Sequence, residues 1–364
     1  GLFSDHRWSF DKFEFSVGKA RMQADGTLDL RGEGANSRFH FSGDIPSLAA
    51  IGQFDGRTAR DQGLTWQANV LSRNGVVNMD DLRGRLGENE FTGSVEVSLG
   101  DTPEVNLNLR ASGLALRSLL EDLESKSDHR VSEDGRLIPD FALPLETLQQ
   151  INGSVDLEIG DLQRGELQFR NVELQATLRD GYLDVSNLAL DAPAGHLDAR
   201  VGIRETGGSA DVSMAIVARD FSLGLMSRNK DLEMTSDVDI NIESKGGNLR
   251  ALAENANGIA FAVAHGGEPT DLEIVHLFYG DMFSQILGTI SPFLVSETGA
   301  RTQCAIFPYE IIGGQVTSVP YTYIGTDKVH IRSATRIDLS SEELDIDVET
   351  TPSKGLKLSA GQVL

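Results

Sequence analysis

The chain of 364 residues is poor in cysteine, aromatic residues and basic side chains. Its single cysteine, Cys304, excludes a disulfide within the chain, so the fold depends on packing and hydrogen bonds alone. Only 32 Lys and Arg accompany 55 Asp and Glu, which gives a net charge of -23. This balance excludes the basic surface that binds a nucleic-acid backbone or an anionic membrane, so we expect no nucleic-acid partner.

The chain also lacks an uninterrupted apolar run long enough to cross a bilayer. Its most apolar stretch, residues 271–294, contains charged side chains such as Asp271, Glu273 and Asp281. Because a charge at bilayer depth is costly, we predict that this stretch does not span a membrane. The chain begins with Gly1 and shows no signal peptide, so we interpret it as a portion of a longer protein.

Alternation of apolar and polar residues with period two dominates the sequence. It is clear in residues 155–159 and 238–242, where aliphatic residues alternate with carboxylates or amides. This pattern predicts antiparallel strands with one apolar face and one solvated face. Glycine-containing triplets follow several such runs, and we predict tight hairpin turns at 73–75, 179–181 and 245–247.

A loose internal repeat joins some of these strands. Gly75 is followed by Val77 and Met79, and Gly181 is followed by Leu183 and Val185 at the same offsets. A turn, a strand, a short link and a return strand recur in both places. The repeat predicts an extended sheet.

Helical spacing occurs in four short stretches, at 116–123, 144–151, 248–258 and 271–294. The last is predicted to be an amphipathic helix that caps one end of the sheet. Its apolar stripe consists of Val275, Phe278, Met282, Ile286 and Ile290. The alternative, a helix that lies on a membrane surface, has less support because the stretch lacks basic residues for anionic lipid. The polar stretch 125–143 is the predicted linker between an N-terminal β-repeat portion, 1–124, and a C-terminal β region, 144–364, with a helical insertion at 248–294.

No catalytic motif is present. The sequence has no G-x-S-x-G nucleophile elbow, and Cys304 in a strand is interpreted as a packed thiol. His265 and His276 lack the spacing of metal ligands. Two carboxylate pairs, Asp156 with Glu158 and Asp345 with Asp347, share a strand face and could chelate calcium, but a solvated outer face is their commoner use. We therefore predict a protein that is not an enzyme and needs no metal or cofactor.

The order of several motifs resembles the AsmA family of bacterial envelope proteins. An I-P-D…L-P stretch at 138–144 precedes a strand, and a helical insertion precedes the strand that contains Cys304 and a Gly313-Gly314 turn. The pair of strands at the end resembles the family's "G-x-I-D-L…E-x-L-D-L" pattern, although this chain has no Gly at the first position of that pattern. The resemblance covers residues 137–349.

This resemblance implies a member of the bridge-like lipid transfer group, which includes TamB relatives. The fold it implies is mainly β, with a long antiparallel, strongly bent sheet that forms a groove (β-taco-like), and a few amphipathic helices at its ends and edges. The function it implies is to accommodate phospholipid acyl chains and help move lipid between the inner and outer membranes. The implied location is the periplasm of a Gram-negative bacterium, tethered to the inner membrane through an N-terminal anchor that is not in this chain, with envelope proteins as possible partners.

Alternation alone does not distinguish an open apolar face from the closed core of a β-sandwich. Two alternatives therefore stay open, a structural or assembly scaffold of the envelope and, with less support, a carbohydrate-active β-protein. The candidate lipid-facing residues are the inward aliphatic side chains of the clearest strands: Val155, Leu157, Ile159, Leu174, Leu178, Val201, Ile203, Val212, Met214, Ile216, Val238, Ile240, Ile242, Leu344, Ile346 and Val348.

Overall fold

The computed structural model describes residues 2–4, 6–29, 36–48, 53–54, 57–58, 62–115, 136–164, 167–222, 234–266, 302–327 and 329–353. The chain forms two compact units. Unit 1 comprises Gly1–Gly135, Phe141–Pro193 and Asp198–Val212, and unit 2 comprises Arg136–Asp140, Ala194–Leu197 and Ser213–Leu364. Two boundaries between these units, at 135/136 and 140/141, lie within the predicted linker at 125–143, and the others lie between 193 and 213. The first part of the linker, 125–135, lies outside the described residues.

Unit 1 is a sheet of long strands with one short helix. Its elements are β1 (Leu2–Ser4), β2 (Arg7–Val17), β3 (Ala20–Asp29), β4 (Ser37–Ile45), β5 (Gln53–Phe54), β6 (Arg57–Thr58), β7 (Leu64–Arg73), β8 (Val76–Leu86), β9 (Asn89–Ser98), β10 (Glu104–Ala115), α1 (Leu145–Gln150), β11 (Asn152–Arg164), β12 (Leu167–Arg179) and β13 (Tyr182–Asp191). Strands β5 and β6 pair only with each other among the described residues.

The long strands of unit 1 pair in chain order, from β1 through β4 and β7 to β13. Asn74-Gly75 and Asp180-Gly181 have the positive φ values that tight hairpins need, so both of these predicted turns are confirmed. One pairing departs from the prediction, because β10 and β11 run parallel. A hairpin cannot join parallel strands, and the long connection between these two contains α1.

Irregularities in register bend several strands of unit 1. Asp81 and Asn171 have φ values of 51° and 49° and lie where the register of β8 and β12 against a neighbour shifts. Each has a side-chain hydrogen bond to a neighbouring strand, since Asn69 donates to Asp81 at 3.1 Å and Asn171 donates to Asp191 at 2.7 Å. Such bulges bend the strand and keep apolar residues on one face although the sequence parity changes.

Two strands, β14 (His196–Glu205) and β15 (Ala210–Ser222), contribute residues to both units. Unit 2 continues with β16 (Thr235–Gly246), α2 (Leu249–Glu254), β17 (Asn257–His265), β18 (Thr302–Ile312), β19 (Gln315–Ser318), β20 (Thr322–Thr326), β21 (Val329–Asp338) and β22 (Glu343–Pro352). Strands β19 and β20 act as one interrupted strand, since both lie between β18 and β21.

The predicted hairpin at 245–247 is wrong. Strand β16 continues to Gly246 and leads into α2, which begins after Asn248, whose side chain accepts a hydrogen bond from the Ala251 N–H at 2.7 Å. A Cβ on Gly246 would lie 2.6 Å from the Leu252 nitrogen, so glycine serves here to let the helix approach the strand. The helix is also shorter than the predicted 248–258, because β17 already begins at Asn257.

The closed core of the described chain lies in unit 2. One cluster of buried side chains surrounds Phe307, which is 1% exposed, and a second contains Ile311 and Val316. In unit 1 the buried apolar residues are mostly alanines, such as Ala24 and Ala68. The predicted fold class, a mainly β chain with a long bent antiparallel sheet and few helices, is confirmed.

Candidate functional site

The apolar side chains of unit 1 form three rows that cross its strands on one face, which we call the apolar face. Registered partners in a sheet point to the same side, so each row follows directly from the strand pairing. The first row is Phe10, Gly26, Phe39, Val70, Met79, Val95, Leu107, Val155, Ala176 and Val185.

The two other rows flank it. The second is Phe13, Ala24, Phe41 and Ala68 on β2 to β7, continued by Leu82, Gly93, Leu109, Leu157, Leu174 and Leu188 on β8 to β13. The third is Phe15, Met22, Gly43, Trp66, Gly84, Phe91, Ala111, Ile159 and Val172. The bulge at Asp81 keeps Met79 and Leu82 on the same face, so the rows continue across β8.

The apolar face is neither sealed nor fully exposed. Every member of the first row is half-buried, although its strands from β3 to β12 each pair with a neighbour on both sides. Adjacent strands lie about 4.8 Å apart, so the row is roughly 43 Å long across ten strands. Among the residues that the structure describes, unit 1 therefore presents a continuous apolar surface that its own side chains only partly cover.

Aromatic side chains dominate the β2–β4 end of the apolar face. The Phe10 ring stacks on Phe39 with centroids 5.8 Å apart and meets Trp8 edge-on at 5.9 Å. Trp8, Phe13 and Phe15 are 46%, 56% and 44% exposed, which is high for such large apolar groups. The prediction missed these aromatic residues, because the register shift between Phe10 and Phe13 breaks the period-two pattern on which it relied.

Two glycines on the apolar face lie beneath aromatic rings. A Cβ on Gly43 would lie 2.2 Å from Trp66 Nε1, and a Cβ on Gly84 would lie 2.4 Å from Phe91 Cζ. The indole and the phenyl ring therefore lie over the two glycines, where any larger residue would displace them.

The opposite face of unit 1 is polar and includes an ion pair between neighbouring strands. Arg110 on β10 binds Glu158 on β11 through two hydrogen bonds, at 2.9 and 3.2 Å. The hydrogen bond from Arg110 lowers the pKa of Glu158, so this carboxylate stays ionised. One of the two predicted calcium ligands on this strand is thus held by an arginine.

The predicted lipid-facing residues lie in unit 1, on β14 and β15, and in unit 2. Val155, Leu157, Leu174 and Leu178 are half-buried on the apolar face of unit 1, and Ile159 on the same face is buried. The remaining candidates on β14 and β15 are half-buried: Val201, Ile203, Val212, Met214 and Ile216.

In unit 2, the candidates lie beside the closed core. Ile346 and Val348 pack against the cluster around Phe307, and Ile242 packs against the cluster with Ile311. Val238, Ile240 and Leu344 are half-buried. The row Ser236, Ala264, Ala305, Ile324 and Ile331 crosses five strands with every member buried. The prediction grouped these residues with those of unit 1, but the structure places them in a different packing environment.

The predicted capping helix at 271–294, with Val275, Phe278, Met282, Ile286 and Ile290, lies outside the described residues. So does the predicted helix at 116–123. The short predicted helix at 144–151 is confirmed as α1.

Three pairs of polar side chains in the described chain lie close enough to interact. His265 Nε2 lies 3.3 Å from Asp237 Oδ2, and the Tyr323 hydroxyl lies 2.7 Å from His330 Nδ1. In the second predicted carboxylate pair, Asp345 lies 3.8 Å from Arg336. Within the described ranges, no group of three or more His, Cys, Asp or Glu side chains is placed to hold a metal ion.

None of the helices in the described part of the chain is long and apolar enough to cross a membrane. Comparisons of the chain with models of known families, with curated proteins and with solved structures found no match.

Proposed function

We propose that this chain is a non-catalytic lipid-binding protein that holds phospholipid acyl chains on the apolar face of unit 1. The observation that carries the proposal is the first row, from Phe10 to Val185, whose members are all half-buried although the row crosses ten strands of one sheet. A structural core would bury such residues fully. A surface that only meets water would not line up apolar side chains across so many strands.

Acyl chains fit the chemistry and the dimensions of this face. One leaflet of a bilayer has acyl chains that span about 15 Å, so a row roughly 43 Å long accommodates more than one chain. Each methylene moved from water onto the face gains about 0.8 kcal/mol, and this gain needs no directional contact. The rings of Trp8, Phe10 and Phe39 offer flat surfaces that tolerate chains of different length and saturation.

The wider setting is also part of the proposal. The motif order at 137–349 is similar to that of AsmA-like proteins, which supports a periplasmic protein of a Gram-negative envelope that helps move phospholipid between the inner and outer membranes. Tethering to the inner membrane would come from an anchor outside this chain. Unit 2, with its closed clusters, is assigned a structural role in this proposal.

Photo-crosslinking tests the proposal directly. A photo-reactive amino acid replaces Leu174 on the apolar face or its neighbour Gln175, which is exposed on the polar face. We expect phospholipid adducts, identified by mass spectrometry, at Leu174 and not at Gln175. If neither position yields adducts, and the same holds for pairs on β10 and β11, the apolar face is covered by protein and the scaffold function replaces this proposal.

A second measurement uses tryptophan fluorescence of the purified chain. Trp8 and Trp66 are the two tryptophans, and both lie on the apolar face of unit 1. Phospholipid with brominated acyl chains should quench both, and in the Trp8→Phe variant it should still quench Trp66. Phospholipid brominated only at its headgroup is the matched control and should quench weakly. Equal quenching by both lipids would contradict burial of acyl chains on this face.

A further inference from the structure

Within the described part of unit 2, strand β22 is an edge strand. Among the residues that the structure describes, β22 pairs with β21 and with no other strand. The pairing runs without a register shift from Val329 opposite Pro352 to Asp338 opposite Glu343. Ten residues of extended backbone therefore present N–H and C=O groups at alternate positions along the second edge of β22.

The inward-facing side chains of β22 are apolar and only partly buried. Ile346 and Val348 pack against the cluster around Phe307, while Leu344, Ile346 and Val348 themselves are half-buried. A further strand beside β22 would place its own inward side chains next to these three residues. The core of unit 2 would then continue across the new strand.

The outward side of the edge is strongly acidic. Glu343, Asp345, Asp347 and Glu349 occupy alternate positions and are all exposed. On β21, Arg336 and Arg332 lie opposite Asp345 and Glu349, respectively. The other two acids have no cation opposite them, because Asp347 faces Ala334 and Glu343 faces Asp338.

We propose that β22 accepts a β-strand from a partner protein, and that the added strand carries Lys or Arg at alternate positions. The backbone of the open edge supplies hydrogen bonds, Leu344 to Val348 supply the apolar contacts, and the acidic row selects the partner's charge. A second copy of this chain is a poor partner through the same edge, because β22 beside β22 places acids next to acids. The proposal does not depend on lipid binding by unit 1.

A synthetic strand tests this docking on the full chain. The probe is a ten-residue peptide, capped at both ends and labelled with fluorescein, that alternates lysine with valine. We expect saturable binding by fluorescence anisotropy and slower amide exchange at alternate residues of β22. The same peptide methylated on its backbone nitrogens at every second residue is the control, and it should bind at least about 10-fold more weakly because it cannot complete the ladder.

The acidic row is tested by a double variant, Glu343→Gln with Asp347→Asn, which changes the two acids that have no arginine opposite. Both side chains are exposed, so the fold should be preserved. We expect the variant to bind the alternating peptide about 2- to 10-fold more weakly, since each cross-strand charge pair makes a small contribution to the binding affinity. A matched variant of two exposed acids in unit 1, Glu96→Gln with Asp80→Asn, should leave binding unchanged.

Three outcomes would overturn the proposal. Equal binding of the methylated peptide would mean that the peptide adheres by charge alone. Unchanged binding by the double variant would mean that the acids do not select the strand. A concentration-dependent dimer of the chain in analytical ultracentrifugation, with β22 protected from exchange in the dimer, would make a second copy the occupant. Loss of lipid adducts at Leu174 would affect none of these results.

Discussion

Units 1 and 2 share the alternating strand pattern but differ in how deeply it buries their apolar side chains. In unit 1, the row that contains Val155 crosses ten strands and all its members are half-buried. In unit 2, the row that contains Ile324 has five successive members that are all buried. Alternation therefore specifies that a strand has an apolar face, but the neighbours of that face decide whether it becomes a core.

The residues in the two faces explain part of this difference. Unit 2 places Phe307 at the centre of its cluster, surrounded by Ala264, Ala305 and branched aliphatics. Together these side chains enclose the phenyl ring, which is 1% exposed. The aromatic rings of unit 1 are instead spread over β2 to β9, and two of them lie over Gly43 and Gly84, so no single residue fills the apolar face.

The largest expected effect that separates the units is on stability. Phe307→Ala should cost about 3–5 kcal/mol, because it leaves a cavity in a closed core. Leu174→Ala should cost only about 1 kcal/mol, because the leucine is half-buried and its loss creates no enclosed space. Urea denaturation followed by circular dichroism measures both.

Intrinsic fluorescence assigns each loss to its unit. Trp8 and Trp66 report on unit 1, whereas tyrosine emission reports on unit 2 in a Tyr182→Phe background, because the other four tyrosines belong to unit 2. A cost for Leu174→Ala as large as that for Phe307→Ala would mean that the face of unit 1 is sealed, and the comparison would fail.

A smaller effect on stability is expected where an aromatic ring of the apolar face lies directly over a glycine. Gly43→Ala places a methyl group 2.2 Å from Trp66 Nε1 and should destabilise the chain by about 1–3 kcal/mol. The displaced indole should also shift its emission in a Trp8→Phe background. Gly100→Ala is the control, because its Cβ would have only the Thr102 carbonyl oxygen nearby, at 3.9 Å. A neutral Gly43→Ala variant with unchanged emission would show that the ring does not rest on the glycine.

The smallest effect concerns the segment 136–140, which belongs to unit 2. The Glu342 carboxylate accepts hydrogen bonds from the backbone N–H groups of Ile138, at 2.9 Å, and Leu137, at 2.7 Å, and these bonds lower its pKa. A carboxyl group with a lowered folded pKa contributes its stabilisation above the unfolded pKa, and the contribution is lost as the pH falls through the folded pKa.

Amide exchange measures this contribution locally. Below the ordinary glutamate pKa of 4.5, the Leu137 and Ile138 amides should lose protection as the pH approaches the lowered value. Glu342→Gln should speed exchange at one of the two amides at neutral pH, because a carboxamide has only one accepting oxygen. Glu310→Gln, on the exposed side of β18, should change neither amide. Protection that is independent of pH and of Glu342 would refute this role for the carboxylate.

Much of the fold could be predicted from the sequence. The strands around Val155, Leu174, Val238 and Ile346 follow from period-two alternation, and the turns at Asn74-Gly75 and Asp180-Gly181 follow from residues that tolerate positive φ. These are local properties, which depend on the residue and its immediate neighbours.

What could not be predicted depends on distant parts of the chain. The parallel pairing of β10 and β11 results from a long connection, and the role of Gly246 results from the approach of α2. The aromatic end of the apolar face was missed because the register shift between Phe10 and Phe13 changes the parity of the pattern. Whether Ile324 or Val155 becomes buried is decided by the packing around the sheet, which alternation does not encode.

The chain-order pairing of unit 1 has a consequence for how such a surface changes in length. Almost every strand bonds to the next one along the chain, so most contacts are local in sequence and the sheet can grow by successive hairpins. One additional hairpin adds two strands, or about 10 Å, without disturbing the rows already present. The length of the apolar face is thus set by the number of strands, and duplication or deletion of a single hairpin would change it. A closed core such as that around Phe307 would instead have to be repacked.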